Sequence, residues 1–137
     1  MKCLLLGGAG FIGSALARRL WADGHEVTIV DDFSRGHREG LPLGCVVIRT
    51  DIAQWDHPQE YWDWLFCLAG VVGVPNVERD PSRAWSVNTS AVLTALEIEA
   101  RKTFYASTSE AYSVPTEIPT PETAALQIPD VTSPRAV

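Results

Sequence analysis

Four glycines fall within seven residues near the start of the chain, in Gly7-Gly8-Ala9-Gly10-Phe11-Ile12-Gly13. This run satisfies Gly-x-x-Gly-x-x-Gly from Gly7 and Gly-x-Gly-x-x-Gly from Gly8. Glycines so spaced allow a tight turn, let a diphosphate approach the backbone, and permit a helix to pack close on a strand. If a helix opens here, its free N–H groups and positive dipole end face the anion. Asp31 and Asp32 come next, at a spacing where a carboxylate can bind a ribose 2′-hydroxyl. Two carboxylates would repel a 2′-phosphate, so NAD is favoured over NADP, although Arg35 is near enough to serve a phosphate. A solvated turn is the competing reading of Asp31-Asp32. A third group, Ser107-Thr108-Ser109-Glu110, offers hydroxyls for hydrogen bonding and a carboxylate able to move protons. Its competing reading is a polar turn.

The elements needed to position these residues are legible. Lys2–Leu6, Glu26–Val30, Cys45–Arg49, Trp64–Leu68 and Thr103–Ala106 each read as a short buried strand. The glycine run lies directly between the first strand and a helix with Ile12, Leu16 and Leu20 on one stripe, ending near Asp23-Gly24. A longer helix opens at Asp80-Pro81, an N-cap followed by proline, and extends to about Arg101. Ala84, Asn88, Ala91, Ala95 and Ile98 form one face of it, small enough for close packing on a sheet. Such alternation predicts an α/β fold, a doubly wound parallel sheet of about five strands with right-handed crossovers. Ser107–Glu110 then follows the fifth strand, at the carboxyl edge where such sheets bind ligands.

Composition narrows the function classes. The 137 residues carry a formal net charge of −6 and 46% hydrophobic residues, as in an ordinary globular domain. An acidic chain with scattered basic residues is a poor match for nonspecific nucleic acid or an anionic membrane. No apolar stretch approaches the roughly 18–20 residues of a membrane span. The start resembles a secretory signal, but the glycines make a poor apolar helix and the loop reading accounts for them. Cys3, Cys45 and Cys67 have no metal-ligand spacing and read as buried reduced thiols, which points to the cytoplasm. Trp55, Trp62 and Trp64 read as packing, and His25, His37 and His57 as surface residues.

Taken together, the motifs resemble the extended branch of the short-chain dehydrogenase/reductase family: the NAD-dependent sugar-nucleotide epimerases, dehydratases and decarboxylases. The resemblance rests on Gly7–Ser14, Asp31-Asp32-Phe33-Ser34-Arg35-Gly36, Asp51-Ile52, Leu65–Gly70, Asp80-Pro81 through Val87-Asn88, and Ala106–Tyr112. It implies a Rossmann-like fold over residues 1–112 with NAD as cofactor. Gly7, Gly10, Phe11, Ile12 and Gly13 would form the diphosphate turn, and Asp31, Asp32 and Ser34 would lie at the ribose. Asp51 and Ile52 would hold the adenine, and Leu68, Ala69 and Gly70 would pass beside the inner ribose. Asn88 would tie the long helix to the sheet, its alternative being a local helix hydrogen bond. Thr108 would hydrogen-bond the sugar hydroxyl being oxidised, and Glu110 would act as acid or base. The Ser-Thr-Ser-Glu-x-Tyr run is most similar to decarboxylases of the UDP-glucuronate type. Dehydratases usually carry Asp at the position of Ser109.

The chain departs from the family pattern at Leu6, where Thr is frequent, and at Ser113, where Gly is common. None of Tyr61, Tyr105 and Tyr112 has lysine four residues on, so the family's Tyr-x-x-x-Lys pair is absent. Ser133-Pro134-Arg135-Ala136 resembles what immediately precedes that tyrosine. Residues 113–137 hold five of the nine prolines and no glycine, and read as a loop leading toward a missing catalytic and substrate-binding part. The expectation is an NAD-binding portion of a nucleotide-sugar-modifying enzyme, of the UDP-sugar decarboxylase or epimerase type and inactive alone. Apolar surface left open by a missing part would favour self-association. The alternatives are a non-catalytic NAD-binding regulatory module and an enzyme completed by another chain.

Overall fold

Alternating apolar residues let β1 (Lys2–Leu6) feed two cores at once. A computed structural model describes residues 1–113 and 117–127; the Ser133–Ala136 motif lies outside them. Leu4 and Leu6 face a core with Val30, Leu65, Ala91 and Ala95, while Cys3 and Leu5 face another with Ala17, Leu20, Val27 and Ile29. A strand buried on both faces is the mark of a parallel sheet covered by helices on each side.

The other elements are α1 (Phe11–Ala22), β2 (Glu26–Asp31), β3 (Val46–Arg49), β4 (Trp62–Cys67), α2 (Val74–Arg79), α3 (Pro81–Glu97) and β5 (Ala100–Tyr105). Short 3-10 turns cover Ile52–Gln54 and Ser109–Tyr112. The sheet is five-stranded and wholly parallel, in the order β3-β2-β1-β4-β5. Chain order reverses direction beside β1, which opens a crevice at the carboxyl ends of β1 and β4. This is the Rossmann-like, doubly wound architecture expected from the sequence.

Several boundaries differ from the sequence reading, each for a local reason. The buried stripe of α1 is Gly13, Ala17 and Leu20, while Ile12 is 66% exposed. A Cβ at Gly13 would stand 2.6 Å from the Gly7 carbonyl oxygen, so the small face of the helix lies on the sheet and the large residue turns away. Helix α3 stops at Glu97, short of Arg101. Ile98 is extended and buried, and the Glu99 carbonyl accepts from Trp62 N–H at 3.0 Å, drawing the chain into β5. Tertiary pairing there overrides helical spacing. Helix α2 was not foreseen from sequence; it follows Gly73, whose φ of +89° turns the chain out of the β4 loop.

Cys3 and Cys67 are buried, but Cys45 is half-buried and just precedes β3. His57 is half-buried too, against the Trp55 ring and 3.6 Å from Glu97. Trp62 is buried and Trp55 and Trp64 pack against the cores, consistent with structural roles. Among the described residues no helix is long and apolar enough to cross a membrane, and no His, Cys, Asp and Glu cluster could hold a metal.

Candidate functional site

The crevice begins with the turn out of β1. Gly7 has a φ of +78°, a left-handed conformation that favours glycine, and its N–H donates to the Val30 carbonyl at 2.8 Å. A Cβ on Gly7 would meet the Ala69 backbone nitrogen at 2.5 Å, so the β1 and β4 turns touch backbone to backbone. Gly10 is different. A Cβ there would find only the Gly7 carbonyl oxygen, at 3.7 Å, so its face of the turn is open. Gly10 caps α1 with no side-chain hydrogen bond, leaving the first helical N–H groups for an anion.

At the end of β2, the Asp31 carboxylate spans two loops. It accepts from Ala9 N–H and from Phe33 N–H, each at 2.9 Å. Phe33 has a φ of 59°, rare for a non-glycine residue, and this conformation curls the chain so that the next amide reaches Asp32. Asp32 Oδ1 accepts from Ser34 N–H at 2.8 Å and from Ser34 Oγ at 2.6 Å, and Oδ2 accepts from Arg83 Nη2 at 2.8 Å. Burial alone would push the Asp32 carboxyl up; the Ser34 bonds and the Arg83 guanidinium outweigh it and hold the carboxyl below the usual carboxylate range. Gly36 then lies so close to the glycine turn that a Cβ would stand 2.6 Å from Ala9 Cβ.

Opposite, the β4 turn is held by the long helix. Asn88 binds Val71 and not its own helix, so it is the cross-tie of the two readings. Arg35 Nη1 reaches over to the Val72 carbonyl at 3.0 Å. Asp51 caps the short turn that follows β3, its Oδ1 accepting from Ala53 N–H at 3.0 Å, and Ile52 is buried behind it.

Of the residues expected at the site, Gly7, Gly10, Asp31, Asp32, Ser34, Asp51, Ile52, Leu68, Ala69 and Gly70 line one cleft. Phe11, Ile12 and Gly13 do not: Phe11 is 96% exposed on the first turn of α1, and Gly13 is packed beneath the turn. Thr50, Val71, Val87 and Arg83 line the cleft without having been foreseen. Arg83 is 51 residues from its partner Asp32, and no local pattern marks such a pair.

Thr108 and Glu110 follow β5 at the same edge of the sheet but are not among the cleft's lining residues. Thr108 Oγ1 accepts from Glu110 N–H at 3.2 Å, capping the 3-10 turn. The segment is held to the sheet by Ala106 N–H, which donates to the Cys67 carbonyl at 3.1 Å.

The cleft can take an extended anionic ligand: open backbone donors at one turn, carboxylates beyond it, and an apolar floor from Ile52, Leu68 and Ala69. Comparisons with known proteins point the same way. The model of a family described as "NAD dependent epimerase/dehydratase family" matches residues 3–135. The UDP-glucose 4-epimerase of Lacticaseibacillus casei is 30% identical over 132 residues, covering 90% of this chain and 40% of that protein. The UDP-N-acetyl-alpha-D-glucosaminuronate decarboxylase of Bacillus cytotoxicus is 37% identical over 120 residues, 81% of this chain and 37% of that protein. A solved UDP-galactose 4-epimerase superposes with a TM-score of 0.84 at 31% identity, over 93% of this chain and 45% of that one. The chain therefore spans less than half the length of these relatives.

Proposed function

Since this chain belongs to the NAD dependent epimerase/dehydratase family, we propose that it is the NAD-binding portion of a nucleotide-sugar-modifying enzyme. The observation that carries the reading is the glycine turn, closed against Ala69 at Gly7 yet open at Gly10, where a diphosphate can reach the helix N-terminus. Asp31, with lone pairs left over from its two backbone bonds, would take the ribose hydroxyls. Asp51 and Ile52 would flank the adenine, and Leu68, Ala69 and Gly70 the inner ribose. Phe11 and Ile12 would contribute their backbone N–H groups, as their side chains face solvent. When bound, NAD supplies the hydride acceptor for the sugar.

In this reading residues 1–112 form the cofactor domain and residues 113–137 lead on toward catalytic and substrate-binding parts. Thr108 would hydrogen-bond the sugar hydroxyl and Glu110 would move a proton, on a segment fixed to the sheet by Ala106. The 137 residues contain no tyrosine with lysine four residues on, so they would bind NAD without turning over a nucleotide sugar. Decarboxylation and epimerisation both begin with hydride transfer from the sugar, and the relatives include both.

Calorimetric titration of NAD into the purified chain tests the reading. Saturable heat is expected, with no turnover of UDP-glucuronate or UDP-glucose. A folded circular dichroism spectrum without binding heat would overturn it.

A further inference from the structure

The cleft contains a cation that the glycine-and-aspartate pattern does not predict. Arg83, in the first turn of α3, crosses to the end of β2 and donates from Nη2 to Asp32 Oδ2 at 2.8 Å. Asp32 meanwhile keeps its other oxygen on Ser34 N–H and Oγ. Both oxygens of this carboxylate are thus engaged from within the chain, while Arg83 spends one of its five guanidinium N–H groups on it. Arg35, three residues beyond Asp32, is a second guanidinium lining the same cleft, and it is bonded to a neutral carbonyl.

This arrangement alters the electrostatic argument about the ligand. Counting carboxylates along the sequence sets Asp31 and Asp32 together against a 2′-phosphate. In the fold, Arg83 already offsets Asp32. With Asp51 included, three carboxylates and two guanidiniums line the cleft, and removing Asp32 leaves the two signs even. A guanidinium released from a carboxylate is well matched to a phosphate, which offers the same planar pair of acceptors.

We propose that Arg83 is a specificity-determining residue: Asp32 occupies it, and without that carboxylate it takes the 2′-phosphate of NADP alongside Arg35. The inference rests on the dinucleotide-binding reading above and adds which pair of residues sets the choice between the two dinucleotides. Asp32 acts by engaging the cation as well as by repelling the phosphate.

The experiment measures dissociation constants for NAD and NADP by calorimetry with the full chain and three variants. Asp32→Asn keeps the Oδ1 acceptor for Ser34, and so the turn, while losing the charge that holds Arg83. It should lower the NADP-to-NAD ratio of dissociation constants by about tenfold or more, the scale of one charge-assisted hydrogen bond. Arg83→Ala in that background should return most of the gain. Arg83→Ala alone, which leaves Asp32 uncompensated, should move the ratio the opposite way. An unchanged ratio in Asp32→Asn, or a gain that survives Arg83→Ala, overturns the proposal while NAD binding by the wild type stands. Binding of neither dinucleotide by the folded wild type overturns the underlying reading instead.

Discussion

The side chain of Asn88 makes both of its hydrogen bonds to a single residue, accepting from Val71 N–H at 2.8 Å and donating to the Val71 carbonyl at 3.3 Å. This substitutes for the strand pairing that ends at Cys67, since Val71 lies in the β4 turn with no strand beside it. A half-buried peptide is satisfied and the turn is fastened to α3. Asn88→Ala should cost about 1–3 kcal/mol, the penalty for leaving such groups unpaired. Asn88→Asp keeps the acceptor for Val71 N–H but sets a carboxylate oxygen against the Val71 carbonyl, and should not restore the lost stability. Urea denaturation decides it: equal midpoints for wild type and Asn88→Ala would show that water serves Val71 as well.

Two glycines of one turn should respond differently to the same methyl group. Gly7→Ala combines a left-handed φ with a contact 2.5 Å from the Ala69 nitrogen, and should lower the melting temperature strongly. Gly10→Ala has space and should melt close to wild type while weakening NAD binding by about tenfold or more, because the methyl fills the anion's approach. Loss of stability at Gly10 without loss of binding would contradict this division.

Acid should remove the contribution of Asp32. Its folded carboxyl is held below the usual range, so the charged form stabilises the folded state more than the unfolded one. That contribution is complete above the unfolded value of about 3.9, declines as pH falls below it, and vanishes beneath the folded value. With both partners partly exposed it should amount to no more than about 1 kcal/mol. Urea midpoints of wild type and Asp32→Asn should therefore differ at pH 7 and converge in strong acid. A gap that widens on acidification would reverse the sign.

The three cysteines should differ in reactivity. Burial pushes the Cys67 thiol up to about 11, and its Sγ donates to the Ala91 carbonyl at 3.4 Å. Burial raises the Cys3 and Cys45 thiols as well, but Cys3 is buried while Cys45 is only half-buried beside β3. At pH 8 a disulfide reagent should modify Cys45 first and reach Cys3 and Cys67 only on unfolding. Mass-mapped modification of Cys67 ahead of Cys45 would exclude this order.

What was legible in the sequence was whatever short-range pattern determines. The strand β1 matches Lys2–Leu6 at both ends, and α1 stops where Gly24 adopts a φ of +80°. Asp80 accepts from Arg83 N–H at 2.9 Å, the cap expected of an aspartate before proline. The misses are long-range. Ile98 and Glu99 leave the helix where Trp62 of β4 takes the Glu99 carbonyl, and periodicity cannot register a partner over thirty residues away. Ile12 has the hydrophobicity of a core residue, yet the neighbouring Gly13 takes the inward place against the Gly7-Gly8 turn, where a Cβ would not fit, and Ile12 faces solvent. Arg83 reads as one more surface charge until the fold brings the first turn of α3 to Asp32, just past β2. The positive φ of Phe33 has no compositional sign, because glycine or asparagine would ordinarily mark it.

The central place of β1 also governs when the fold can close. Its two ladders are completed by β2, through Cys3–Val27 and its neighbours, and by β4, through Cys3–Trp64 and its neighbours. At a ribosomal pace of about 5–20 residues per second, roughly 3–12 s separate synthesis of β1 from that of β4. Throughout that interval Cys3, Leu4, Leu5 and Leu6, all fully buried in the end, keep one backbone edge uncovered. The nascent chain is most exposed to wrong pairing at the strand that will later be its best protected.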